Sequence, residues 1–105
     1  MLPPREATVD QIHRYDTVLR QYYLDNGVYP TTEQGLQALI VHPTNAPASE
    51  LWRGPYVRPP IIRKDAWNHD FVYVNPGVHN TNGYDLFSAG PDGIAGTKDD
   101  IGNWQ

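Results

Sequence analysis

Residues 88–104 read SAGPDGIAGTKDDIGNW. The run carries Asp92, Asp99 and Asp100 among glycines at positions 90, 93, 96 and 102. No helix tolerates that density of glycine, and the run offers little apolar surface to bury. Something besides a hydrophobic core is expected to order it. Clustered carboxylates on a loop that folds back on itself suit a hard cation. Ca²⁺ takes about 6–8 oxygen ligands from carboxylates and backbone carbonyls, at roughly 2.3–2.6 Å. The expectation is a calcium site that holds the C-terminal third of the fold. Asp and Gly are also ordinary turn residues, and Asp99-Asp100 can be a solvated pair. The spacing is not that of an EF-hand loop, which needs alternating acidic positions and a closing Glu. Adjacent carboxylates repel unless a cation or base is near, and Lys98 is the only basic side chain in the run.

Upstream, the punctuation is that of a helix followed by strands. Thr8 and Gln11 have capping-box spacing and predict a helix start. Val9, Ile12, Tyr15, Leu19, Tyr22 and Tyr23 then recur at helical steps, and Asn26-Gly27 predicts the stop. Packing of the helix is expected for Tyr15, Tyr22 and Tyr23. Arg5, Glu6, Asp10, Arg14, Asp16 and Arg20 are expected on a solvated face, or setting subunit register if the protein polymerises. Thr31 and Gln34 repeat the capping-box spacing ahead of Leu36, Leu39 and Ile40, which predicts a shorter helix over 31–41 ended by His42-Pro43. Trp52 and Tyr56 sit between turns. Residues 65–68 read as a turn into a strand over 70–74. Asn82-Gly83 is a hairpin signal, with the next strand at 84–87. Trp104 is expected to tie down the tail. Helix first and strands last predict α+β with an antiparallel sheet.

At 105 residues with 39% hydrophobic content, one domain is expected, 1–105, with a modest core. Nine glycines and ten prolines make it loop-rich, while three Trp, seven Tyr and two Phe argue against disorder. The net charge is −4 and the basic residues are scattered, so nucleic acid is not an expected partner. The absence of cysteine excludes disulfides and thiol chemistry. The longest apolar runs, 38–41 and 71–74, fall far short of the ~20 residues of a spanning helix. Met1-Leu2-Pro3-Pro4 reads as an abrupt start with a segment expected upstream.

Catalysis is not expected. Ser49 and Ser88 lie in no nucleophile elbow, and His13, His42, His69 and His79 lack zinc-ligand spacing. A competing reading is a calcium-dependent periplasmic or surface binding module, adhesin-like, with Trp52 and Trp67 facing a ligand such as a glycan.

Residues 22–36, YYLDNGVYPTTEQGL, resemble the signature of the major pseudopilins of bacterial type II secretion systems. So do WRGPY at 52–56, DAW at 65–67, YDLFSAG at 84–90, and Asp92-Gly93 running on to DIGNW at 100–104. The resemblance covers about Asp10 to Trp104. It implies a type IV pilin-like fold, with residues 5–26 as the lower part of a longer helix, strands within 70–88 and a calcium loop at 88–104. It further implies a hydrophobic N-terminal helix upstream, cleaved and methylated, that anchors the full-length protein in the inner membrane. The expected product is a periplasmic homopolymer, the pseudopilus, with minor pseudopilins and the inner-membrane secretion platform of a Gram-negative bacterium as partners. The calcium ligands it implies are Asp92, one of Asp99 and Asp100, the Ala89 carbonyl, and a carbonyl near Thr97 or Lys98. Two departures put the local turn in question. Ala66 stands where Pro is usual, and Asn68 where Gly is usual.

Overall fold

The structure, a computed structural model, describes residues 3–44, 50–97 and 100–104. One helix, α1, spans Pro4–Asn26 and supplies the face on which everything else is laid. It begins four residues before the expected Thr8 cap. Pro4 occupies the first turn, where its missing N–H and fixed φ fit a helix start. Thr8 is therefore inside the helix. It is fully buried, and its hydroxyl accepts the Ala66 N–H at 3.2 Å. The stop is where Asn26-Gly27 placed it. Gly27 takes φ 79° and returns its N–H to the Tyr23 carbonyl at 2.8 Å.

Ile12, Tyr15, Leu19 and Tyr22 form the buried stripe of α1, each worth about 1.5–3 kcal/mol of burial. Tyr23, by contrast, is 43% exposed and meets Tyr29 on the rim. The charged residues Arg5, Glu6, Asp10, Arg14 and Arg20 are exposed as expected, but Asp16 is half-buried and receives the Tyr84 hydroxyl.

The second capping box forms. Thr31 Oγ1 accepts the Gln34 N–H at 3.1 Å, and Gln34 Oε1 accepts the Thr31 N–H at 3.0 Å. The box opens into a 3₁₀ helix, Gly35–Leu39, rather than an α-helix over 31–41. Gly35 adopts φ 60°, which no right-handed helix accommodates, so the expected 31–41 run is broken there. Leu36, Ala38 and Leu39 still face the core.

Three strands, β1 (Val72–Val74), β2 (Asp85–Ser88) and β3 (Ile101–Gly102), form an antiparallel sheet in the order β1-β2-β3. Val72 faces Phe87 and Val74 faces Asp85 across β1 and β2, while Ser88 faces Ile101 across β2 and β3. The sheet lies against α1 through Leu86 and Ile101, both essentially buried. β3 departs from the expectation of a loop throughout residues 88–104.

β1 and β2 pair antiparallel, but Asn82-Gly83 does not by itself form the connection between them. Residues 75–84 instead wrap the buried carboxylate of Asp85, which accepts the N–H groups of Val78, His79 and Asn80, each at 2.9 Å. A Cβ at Gly77 would collide with that carboxylate, so glycine there lets the chain close around it. Side-chain chemistry from the next strand, rather than turn propensity, sets this connection.

Candidate functional site

The candidate site is the loop between β2 and β3. At its entrance Ser88 is fully buried and donates to Asp65 Oδ2, while Ser88 Oγ accepts the Gly90 N–H at 3.1 Å. The other oxygen of Asp65 accepts the N–H groups of Trp67 at 3.0 Å and His69 at 2.9 Å. One buried carboxylate thus joins the 65–69 turn to the root of the loop. That turn contains Asn68 at φ 65°. The left-handed region is open to Gly and tolerated by Asn, so Asn68 can hold this turn.

At its exit the loop runs into β3, with Ile101 1% exposed. Asn103 then clamps the sheet. Its Oδ1 accepts the Leu86 N–H at 3.0 Å and an Asn80 Nδ2 proton at 3.1 Å, and its Nδ2 donates to the Tyr84 carbonyl. Trp104 stacks on His79 at 3.8 Å and meets Phe87 edge-on, the tying-down expected of it. The tail therefore has more help from the core than its composition suggests.

Between these anchors the chain turns at Gly90, Gly93 and Gly96, with φ of 78°, 68° and 85°. Asp92 Oδ1 accepts the Ile94 N–H at 2.9 Å, and Thr97 Oγ1 lies 3.0 Å from Asp92 Oδ2. Asp100 Oδ2 accepts the Gly96 N–H at 2.8 Å. Of the five candidate ligands, Asp92 and Thr97 are in direct contact. Asp100 closes the same loop, and Ala89 is buried at its entrance. Asp99 lies outside the described residues. Among the described residues no three Asp, Glu or His side chains converge on one point. The donors that share the loop are carboxylate, hydroxyl and carbonyl oxygens. That chemistry fits a hard cation completing its shell from the backbone, and is foreign to the nitrogen and sulfur preferences of zinc.

The other candidate residues are occupied. Trp52 donates its indole N–H to the Ala38 carbonyl at 2.7 Å and stacks on His42, so its ring belongs to the packing. Tyr56 donates to Asp25 Oδ2 at 2.9 Å and accepts the Arg53 N–H. His13, His42, His69 and His79 are all exposed. Nothing in the sequence pattern separates Asp65 and Asp85, the buried organising carboxylates, from the exposed acids. A partial signal lies in their neighbours, because each adjoins a turn whose N–H groups need an acceptor.

A family model described as type II secretion system (T2SS), protein G, matches residues 4–104. The chain belongs to that family. It is 45% identical over 101 residues to the type II secretion system core protein G of Klebsiella michiganensis, covering 95% of this chain and 68% of the relative. The corresponding Escherichia coli K12 protein is also 45% identical, with 95% and 67% covered. Against that of Pectobacterium carotovorum the figures are 44% identity, 95% and 62%. The chain thus spans about two thirds of the length of these relatives. The crystal structure of the major pseudopilin from enterohaemorrhagic Escherichia coli superposes with a TM-score of 0.85 at 41% identity, over 96% of this chain and 86% of the other. At that level the family and the pilin-like fold are shared, including the long helix on a small antiparallel sheet.

Proposed function

We propose that this chain is a structural subunit of a type II secretion pseudopilus, the periplasmic fibre that moves folded proteins toward the outer membrane. The observation that carries the reading is the end-to-end likeness to a major pseudopilin, at 41% identity and a TM-score of 0.85. Copies would stack through α1 and its upstream continuation, a hydrophobic segment held in the inner membrane. Minor pseudopilins and the inner-membrane platform would be the partners. Contacts that repeat head to tail without closing generate a filament of this kind. Deleting the gene in its host should leave folded exoproteins in the periplasm, and unimpaired secretion would overturn the reading.

The loop between β2 and β3 is proposed to bind Ca²⁺ through Asp92, one of Asp99 and Asp100, and backbone carbonyls including that of Ala89. The ion would supply positive charge that lets neighbouring carboxylates share one loop. The chain's own part is to aim those oxygens. The glycine turns bring Asp92 and Asp100 into one loop, and the Ser88–Asp65 bond fixes its root. Part of the binding free energy is then folding free energy. Thermal melts with calcium and with a chelator test this. A higher Tm with calcium is expected, and equal values would remove the ion from the account.

A further inference from the structure

The 65–69 turn meets the loop between β2 and β3 at two places. The first is the root, where Asp65 accepts the Ser88 hydroxyl. The second is Gly93. A Cβ added there would come within 3.0 Å of His69 Cε1 and Nε2 and 3.5 Å of Cδ2, so the flat imidazole ring lies against the Gly93 backbone. Gly93 is the middle residue of the turn that Asp92 closes by accepting the Ile94 N–H at 2.9 Å. The bonds from Gly93 to Gly90, from Gly96 to Asp100 and from Thr97 to Asp92 also begin and end inside the loop. His69 reaches this stretch from outside it. His69 is itself held, since its N–H donates to Asp65 Oδ1 at 2.9 Å and its carbonyl accepts the Asp65 N–H at 2.9 Å.

We infer that His69 is a positioning residue for the calcium loop, its ring a floor that keeps the Gly93 turn folded, and Asp92 aimed, before an ion arrives. This role rests on the calcium reading of the same loop. Gly90, Gly93 and Gly96 all stand at positive φ, and glycine loses more freedom on ordering than any other residue. In a loop ordered by its ion alone, that loss is subtracted from the binding free energy. A turn held beforehand escapes the subtraction, which is how preorganisation raises affinity. The contact needs glycine at 93, because a side chain there would crowd the ring, and it needs a flat ring at 69. It needs neither charge nor lone pair, so His69 acts through Gly93 and not as a ligand. His69 and Gly93 are both exposed, and exposed side chains contribute little to the stability of a fold. The effect therefore falls on ion affinity rather than on the ion-free protein.

Calorimetric titration of the chelator-stripped protein with calcium chloride tests this, alongside thermal melts in chelator. His69→Ala should weaken calcium binding about fivefold while the Tm in chelator stays at the wild-type value. His69→Phe keeps a flat ring without its nitrogens and should bind calcium as wild type does. Equal affinity in wild type and His69→Ala would overturn the positioning role and leave the calcium reading standing. A loss in His69→Phe as large as that in His69→Ala would also overturn it, because the ring nitrogens rather than the ring's shape would then matter. No calcium binding by the wild-type protein would overturn both.

Discussion

The Tyr84 hydroxyl donates to Asp16 Oδ1 across 2.7 Å, joining the entrance of β2 to the middle of α1. Burial raises the Asp16 pKa above its ordinary 3.8, against the lowering pull of the Tyr84 and Asn103 hydrogen bonds and the His13 charge. Burial also pushes the Tyr84 hydroxyl upward, and the Asp16 bond adds to it, so the phenol stays protonated and remains the donor. Tyr84→Phe leaves a half-buried acid without this donor and should cost about 1–3 kcal/mol, read as a drop in denaturant midpoint. Asp16→Asn keeps an acceptor and removes the buried charge. The native state holds the Asp16 proton to higher pH than the unfolded chain, so this group favours folding below pH about 3.8 and loses that contribution as pH rises through the folded pKa. Asp16→Asn should therefore gain on wild type from pH 3 to pH 7.

Asp85 works with the opposite sign. Burial alone would raise its pKa, but the N–H groups of His79 and Asn80, the His79 ring and the Val78 N–H outweigh it and hold the carboxyl below 3.8. Its contribution is complete above the unfolded value and is lost as pH falls through the folded one. Asp85→Ala strands three backbone donors and should cost about 3 kcal/mol or more near neutrality. Asp85→Asn should flatten the acid limb of a stability–pH curve measured from pH 5 to pH 2.

Asn68 offers a test of backbone rather than side-chain chemistry. At φ 65°, Asn68→Ala should lose about 1 kcal/mol from the left-handed penalty. Asn68→Gly should fall within about 0.5 kcal/mol of wild type, because relief of strain is offset by a freer unfolded chain. Urea midpoints at pH 7 distinguish the two.

For the proposed ion, saturating calcium at a hundredfold excess over Kd should add about 2.7 kcal/mol of stability. Asp92→Ala should abolish that increment. It should also lower the chelator-treated baseline modestly, since Asp92 accepts the Ile94 N–H. Comparing Asp99→Asn with Asp100→Asn by calorimetric titration assigns the second carboxylate, and the variant that keeps wild-type affinity is not the ligand.

The legible features of the sequence are local ones. Gly27 as the helix stop, the Thr31–Gln34 box and the stripe from Ile12 to Tyr22 depend on neighbours a few residues away. The departures share a different cause. Thr8 is spaced like a cap, yet its hydroxyl serves Ala66, 58 residues on. Asn82-Gly83 has hairpin chemistry, yet a carboxylate at Asp85 gathers the whole connection. The expected helix over 31–41 is broken because Gly35 takes a left-handed φ that its neighbours do not signal. β3 is hidden because two residues in a glycine-rich run carry no period. In the candidate site, Asp92 and Thr97 come together as neighbours in one short run, whereas the support from Asp65 and Asn103 comes from sequence-distant partners.

The 23 residues of α1 run roughly 34 Å at 1.5 Å each, close to the 39 Å long axis of the molecule. Thr8, Ile12, Tyr15, Leu19 and Tyr22 are spread along that length, and each is gripped by the rest of the fold. A force applied along the helix loads these grips in parallel, as shear, whereas a sideways pull would open them one after another. The packing of the sheet along the helix thus resists a lengthwise load better than a sideways one.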